Sequence, residues 1–125
     1  DHFKRINDKY GHLQGDKVIQ FVSKVLQDSV RQNDVAARIG GEEFALLLVG
    51  ASSGVAQGIA ERIRVAIASQ DAESSQSQLP EPITISMGVY TATDLSVNVE
   101  ECVRRADEAM YRAKEAGRNR VVVWE

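Results

Sequence analysis

The chain has 125 residues, a length that suits one domain able to bury a core without disulfide or metal staples. It is 43% hydrophobic and 26% charged, the composition of an ordinary soluble globular protein, and its net charge of -3 excludes a global basic field for gathering a nucleic-acid polymer. The single cysteine, Cys102, excludes an internal disulfide and suits a reducing cytoplasm, and no apolar run is long enough to cross a bilayer.

The chain opens on Asp1-His2-Phe3-Lys4, with neither Met nor a leader, which reads as a cut inside a domain. Residues 1–13 read as a turn-rich entry, punctuated by Asn7-Asp8 and Gly11. Over about residues 15–30, Val18, Phe21, Val22, Val25, Leu26 and Val30 recur at spacings of three and four, which predicts an amphipathic helix. Residues 35–39 and 44–49 read as two strands around Gly40-Gly41, a hairpin in which a tight turn would need the positive φ that glycine adopts cheaply. A second helix is predicted over 53–69, with Val55, Ile59, Ile63 and Ile67 on one face. Residues 71–82 are polar and broken by Pro80 and Pro82, a surface loop.

Residues 83–90 alternate and are β-branched, a strand. Asn98 with Glu101 three residues on makes a capping box for a helix that runs to 116 and stops at Gly117, with Cys102 as a small core residue in its apolar stripe. Residues 120–124 close as a strand. With one strand lost before residue 1, the order gives a ferredoxin-like βαββαβ core of the nucleotide-cyclase and polymerase-palm kind, with an extra helix and strand. The expected class is α+β: one mostly antiparallel sheet, helices packed on it, and the first strand and helix missing. There is no repeat and no second domain.

Glu42 and Glu43 follow the glycine pair directly, where strand propensity disfavours both. If they begin a strand, they point to opposite faces and do different jobs. Carboxylates are the hard ligands Mg²⁺ prefers when it also holds substrate phosphates, and glycines beside them admit phosphates close to the backbone. The bland alternative is a bare turn.

Four segments in order resemble the GGDEF family of diguanylate cyclases. Asp1-His2-Phe3-Lys4-Arg5-Ile6-Asn7-Asp8, continuing to Gly11-His12 and Gly15-Asp16, is similar to the family's opening motif. Arg38-Ile39-Gly40-Gly41-Glu42-Glu43-Phe44 resembles its signature hairpin in the GGEEF form. Thr84, Ser86 and Gly88 match a T-x-S-x-G strand, and residues 106–114 with Gly117-Arg118-Asn119 match the closing motif. Each alone is weak; together they are specific.

The resemblance implies roles. Glu42 binds catalytic metal, Mg²⁺ or Mn²⁺, and helps activate the attacking hydroxyl, with Glu43 assisting. Asn7 and Asp16 grip guanine, with donors and acceptors that match its edge. His12, Gly40 and Gly41 lie against substrate. Lys4, Lys114 and Arg118 contact the triphosphate, and Lys4 also serves the transition state. Bland alternatives stand beside these: a turn former for Asn7, a helix cap or first-turn charge for Asp16, a turn cap for His12, a solvated surface lysine for Lys4, and helix-end cations for Lys114 and Arg118. Arg31 and Asp34 resemble the family's R-x-x-D product-inhibition site, which Arg62 completes across subunits.

The implied reaction condenses two GTP into cyclic di-GMP and two pyrophosphates, in a homodimer. The implied parent is a cytoplasmic or membrane-tethered signalling protein with an N-terminal sensory or regulatory domain. The family pattern carries a further metal-binding aspartate two residues before Asp1, so this stretch alone is expected to be a poor enzyme. One rival reading is a catalytically inactive receptor for cyclic di-GMP through Arg31 and Asp34. Another is a structural remnant that binds no nucleotide.

Overall fold

Phe3, Ile6 and Tyr10 recur at spacings of three and four. In the computed structural model, which describes residues 1–69, 81–93 and 96–124, they lie along a helix, α1 (Phe3–Tyr10). The turn-rich entry expected there is corrected. Asn7 and Asp8 are weak helix formers, but Ile6 is 2% exposed and packs with Phe3 and Tyr10 against the core, and that burial outweighs local propensity. Arg5 and Tyr10 both reach Glu81, which ties α1 to the segment before the third strand. Gly11, at φ 90, ends α1 with its amide on the Asn7 carbonyl at 2.8 Å. Helix α2 (His12–Ser29) begins at the next residue, three earlier than the periodicity indicated.

The third helix, α3 (Ser53–Ser69), has the expected bounds. Its inward face is Ala56, Ile59, Ala60, Ile63 and Ile67, whereas Val55, expected on that face, is 48% exposed. Ile6, Val18, Val22, Leu26, Ile59, Ile63, Ile67 and Ile83 form one core cluster that joins α1, α2 and α3. Each such side chain contributes roughly 1.5–3 kcal/mol when fully buried.

The strands form two two-stranded ladders among the described residues, where a single sheet was expected. β1 (Val35–Arg38) pairs antiparallel with β2 (Phe44–Leu47), from Val35 opposite Leu47 to Arg38 opposite Phe44. β3 (Ser86–Val89) pairs parallel with β4 (Arg120–Val123), from Ser86 opposite Arg120 to Val89 opposite Val123. The α+β class is as expected. Residues 83–85, expected within the strand, precede the ladder, although Ile83 is buried. The loop at 71–82 lies outside the described residues except for 81 and 82.

Helix α4 (Val99–Glu115) is capped as expected, with the Asn98 side-chain oxygen accepting from the Glu101 amide at 2.8 Å. Ala109 and Ala113 are fully buried, and a methyl built on Gly88 would stand 2.0 Å from the Ala106 carbonyl oxygen, so β3 packs directly on the α4 backbone. Arg105 lies over the rings of Tyr90 and Trp124, which clamps α4 to the ends of β3 and β4. Cys102 is half-buried rather than in the core. Gly117, at φ 122, stops the helix where expected. No described helix is long and apolar enough to cross a membrane.

Candidate active site

Lys4 and Asn7 are three residues apart, and because α1 is a helix they share one face. That face meets the loop between β1 and β2. Phe3, Lys4, Asn7, Gly40, Gly41, Glu42 and Glu43 together line an open cleft of about 480 Å³.

The hairpin loop is not the tight glycine turn its sequence suggested. Neither Gly40 nor Gly41 has positive φ. The connection is wider, and it is closed by the Ile39 and Gly40 amides, which both donate to the Glu43 carbonyl at 2.9 and 3.3 Å. Arg38 holds it from below, donating to the Gly40 carbonyl at 3.1 Å and the Gly41 carbonyl at 2.7 Å. Glu42 and Glu43 therefore sit in the loop, ahead of β2, and the opposite-face argument from strand geometry does not apply. A methyl built on Gly41 would meet nothing within 4 Å, so the glycine leaves the mouth of the cleft open.

The Asn7 side-chain oxygen is buried without a hydrogen-bond partner. It rests on Gly15, where an added methyl would lie 1.7 Å from it. The carbonyl is desolvated by its own scaffold, a state that costs energy unless a donor arrives. Asp16 follows Gly15 but is exposed and well inside α2, so it is neither a cap nor a first-turn charge. His12 is the exposed first residue of α2. Asp16 and His12 flank the Asn7 side of the cleft in sequence and do not line it.

Lys114 lies in the last turn of α4 and Arg118 just beyond it; neither lines the cleft. The turn that follows α4 nevertheless lies beside the start of α1, because the Asn119 amide donates to the Asp1 carboxylate. Lys4, Lys114 and Arg118 have no carboxylate partner among the described residues, whereas Arg104, Arg105 and Arg112 on α4 are each ion-paired. Arg118 and Asn119 have φ of 65 and 48, two successive non-glycine residues in the left-handed region. That conformation costs about 1–2 kcal/mol per residue.

Residues 1–120 match the family described as Diguanylate cyclase, GGDEF domain. The chain belongs to the GGDEF diguanylate cyclase domain family. It is 42% identical over 123 residues to the probable diguanylate cyclase DgcT of Escherichia coli K12, covering 98% of this chain and 27% of that protein. It is 46% identical to the diguanylate cyclase DgcP of Pseudomonas aeruginosa, covering 98% of this chain and 18% of that one. The chain thus spans less than a third of the length of either. Among solved structures, the GGDEF domain of DgcB from Caulobacter crescentus in complex with c-di-GMP superposes with a TM-score of 0.88 at 36% identity, covering 98% of this chain and 72% of that one. The active GGEEF domain of a diguanylate cyclase from Vibrio cholerae superposes with a TM-score of 0.87 at 34% identity, covering 100% and 78%.

In this GGDEF domain, Arg31 and Asp34 lie away from the cleft and engage each other. Asp34 accepts from the Arg31 amide at 2.9 Å and from its guanidinium at 3.0 and 3.3 Å. Arg31 also donates to the Val49 carbonyl, and the Val49 amide donates to Asp34, so the pair ties the α2–β1 turn to the end of the hairpin. The hydrogen bonds from Arg31 pull the Asp34 carboxyl down to about 2. Arg62, exposed on α3, forms no hydrogen bond or ion pair with either among the described residues.

Reading the sequence missed a polar network behind the GGDEF cleft. The Asp1 carboxylate accepts from Thr84 Oγ1 at 2.8 Å, Ser86 Oγ at 2.6 Å and the Asn119 amide at 3.2 Å. Arg64 on α3 donates to the Asn119 side-chain oxygen at 2.9 Å and is itself held by Glu61. Asn119 was recognisable, because asparagine tolerates the left-handed region better than most residues and follows Gly117-Arg118. Arg64 gave no signal.

Proposed function

We propose that the protein is a diguanylate cyclase that joins two GTP molecules into cyclic di-GMP with release of two pyrophosphates. The observation that carries this reading is the cleft itself. Lys4 and Asn7, from the opening motif, meet Gly40, Gly41, Glu42 and Glu43, from the signature, across more than thirty residues of chain. A pure receptor for the product has no use for that convergence.

The unpartnered Asn7 side-chain oxygen suits a hydrogen bond donated by guanine, with Asp16 accepting from the base edge. Lys4, Lys114 and Arg118, none engaged with a carboxylate among the described residues, offset the triphosphate charge, and Lys4 supports the phosphoryl oxygens as the bond breaks. His12 borders the nucleotide from the start of α2. Among the described residues no group of three or more His, Cys, Asp or Glu is placed to hold a metal ion. Glu42 and Glu43 nevertheless fit an ion that is shared with substrate phosphates, since Mg²⁺ keeps water and takes only one or two carboxylates in such sites. Held by these two, Mg²⁺ or Mn²⁺ would supply positive charge at the phosphoryl oxygens and lower the pKa of the attacking 3′-hydroxyl. An open cleft with one guanine-binding amide suits one GTP per domain, so two copies would face each other. The 3′-oxygen of each nucleotide bonds to the α-phosphorus of the other, and pyrophosphate leaves.

Arg31, Asp34 and, from a second copy, Arg62 form the proposed site for product inhibition. The half-exposed Arg31 guanidinium is held by Asp34 and Val49 through Nε and Nη2, which preorganises Nη1 to donate to a phosphate or a guanine edge. A regulatory domain in the same polypeptide and a cytoplasmic location belong to the same proposal. The test is incubation of the full-length protein with GTP and Mg²⁺, followed by chromatography of the nucleotides. Cyclic di-GMP from the wild type and none from Glu42→Gln, at an unchanged melting temperature, is the expected result; equal yield from the variant removes Glu42 from the mechanism.

A further inference from the structure

The left-handed turn at Arg118 and Asn119 is held from outside. The Arg118 amide reaches the Ala113 carbonyl at 2.9 Å, and the Asn119 amide reaches Asp1. The Asn119 side chain, in turn, accepts from Arg64 Nη1. Arg64 is not a mobile surface arginine: its side chain is 21% exposed and Glu61 grips its Nε at 2.9 Å and Nη2 at 2.5 Å. Asn119 is therefore held on two sides, by α3 through its amide oxygen and by Asp1 through its backbone. Arg118 is one residue away in the same turn, which the Asn119–Asp1 hydrogen bond of 3.2 Å sets beside the start of α1, where Phe3 and Lys4 line the cleft. Arg62, two residues before Arg64, lies about 200° around the helix, so α3 presents one arginine to the turn and the other to a different side.

We propose that Arg64 is a positioning residue for the triphosphate: through Asn119 it keeps the 118–119 turn left-handed, and so keeps Arg118 at the edge of the cleft. Strain at a functional turn persists only where surrounding contacts over-determine it, and among the described residues Arg64 supplies the hydrogen bond to the Asn119 side chain. The inference rests on the assignment of Arg118 to the triphosphate. It assigns Arg64 no contact with substrate.

The test uses the full-length protein and three probes: GTP turnover, binding of a non-reactive α,β-methylene GTP analogue, and binding of GMP. Arg64→Ala is expected to raise the KM for GTP and weaken the analogue by roughly three- to tenfold, the loss of about one hydrogen bond's worth of order. GMP binding and kcat stay near wild type. In an Arg118→Ala background, Arg64→Ala should add nothing, because the group it positions is gone. Arg64→Lys keeps the stem and charge but loses the planar fork, so it should reproduce the effect if the alanine variant folds poorly. Equal weakening of GMP and the triphosphate analogue, or full additivity with Arg118→Ala, would reduce Arg64 to a structural residue and overturn the proposal. If Arg118→Ala leaves the analogue's affinity unchanged, the triphosphate role of Arg118 fails instead.

Discussion

The Asn7 side-chain oxygen rests on the α-carbon of Gly15, where a methyl group would stand 1.7 Å away. Helix α2 therefore sets the position of the amide that α1 offers to the cleft. Gly15→Ala should push Asn7 aside at modest cost in stability, because the displaced atoms lie near the end of a side chain. The expected cost to GTP affinity is roughly tenfold, one or two good hydrogen bonds to a buried acceptor. Asn7→Ala should give a similar loss, and the double variant no more than either. Additive losses in a binding titration would show that the two residues act separately.

Arg31→Ala should weaken binding of cyclic di-GMP by tenfold or more, since charge-assisted hydrogen bonds contribute roughly 1.5–3 kcal/mol each. Turnover of GTP at low product should be retained or raised, because Arg31 lies away from the cleft-lining residues. Titration calorimetry with the product decides the matter. Unchanged affinity would leave Arg31 as a fastener between the α2–β1 turn and Val49.

The Asp34 carboxyl is depressed to about 2 from an ordinary 3.8, chiefly by its hydrogen bonds from Arg31. The folded state then binds fewer protons than the unfolded chain between those values. The resulting stability is present in full above about pH 4 and is lost as pH falls towards 2. Asp34→Asn removes that titration. In urea unfolding at pH 6 and at pH 3, the wild type should lose more stability between the two than the variant does. An identical loss in both would place the acid sensitivity elsewhere, with Glu101, also held at about 2 by Arg104 and Arg105, as the first alternative.

At Gly88 the obstacle is backbone. An added methyl would lie 2.0 Å from the Ala106 carbonyl oxygen and 2.3 Å from the Met110 amide nitrogen, neither of which can rotate away. Gly88→Ala should destabilise the fold by about 1–3 kcal/mol or more by forcing β3 off α4. Thermal unfolding measures it, and a melting temperature within a degree of wild type would mean that the two elements separate more easily than their packing indicates.

What the sequence determined by itself is what short-range physics controls. The bounds of α3, the Asn98 cap on Glu101 and the stop at Gly117 each depend on residues within a turn or two, and each was legible. The order of the four motifs pointed to the family for a related reason: chemistry around phosphate and guanine restricts residue type wherever the chain runs. Tertiary structure decided the rest. Helix α1 exists because Ile6 is buried by partners from α2 and α3, and only that helix places Lys4 and Asn7 on one face. The Asp1 carboxylate is satisfied by groups 83, 85 and 118 residues away, and Arg64 meets Asn119 across 55. No local pattern encodes such pairs, because their partners become neighbours only when the core closes.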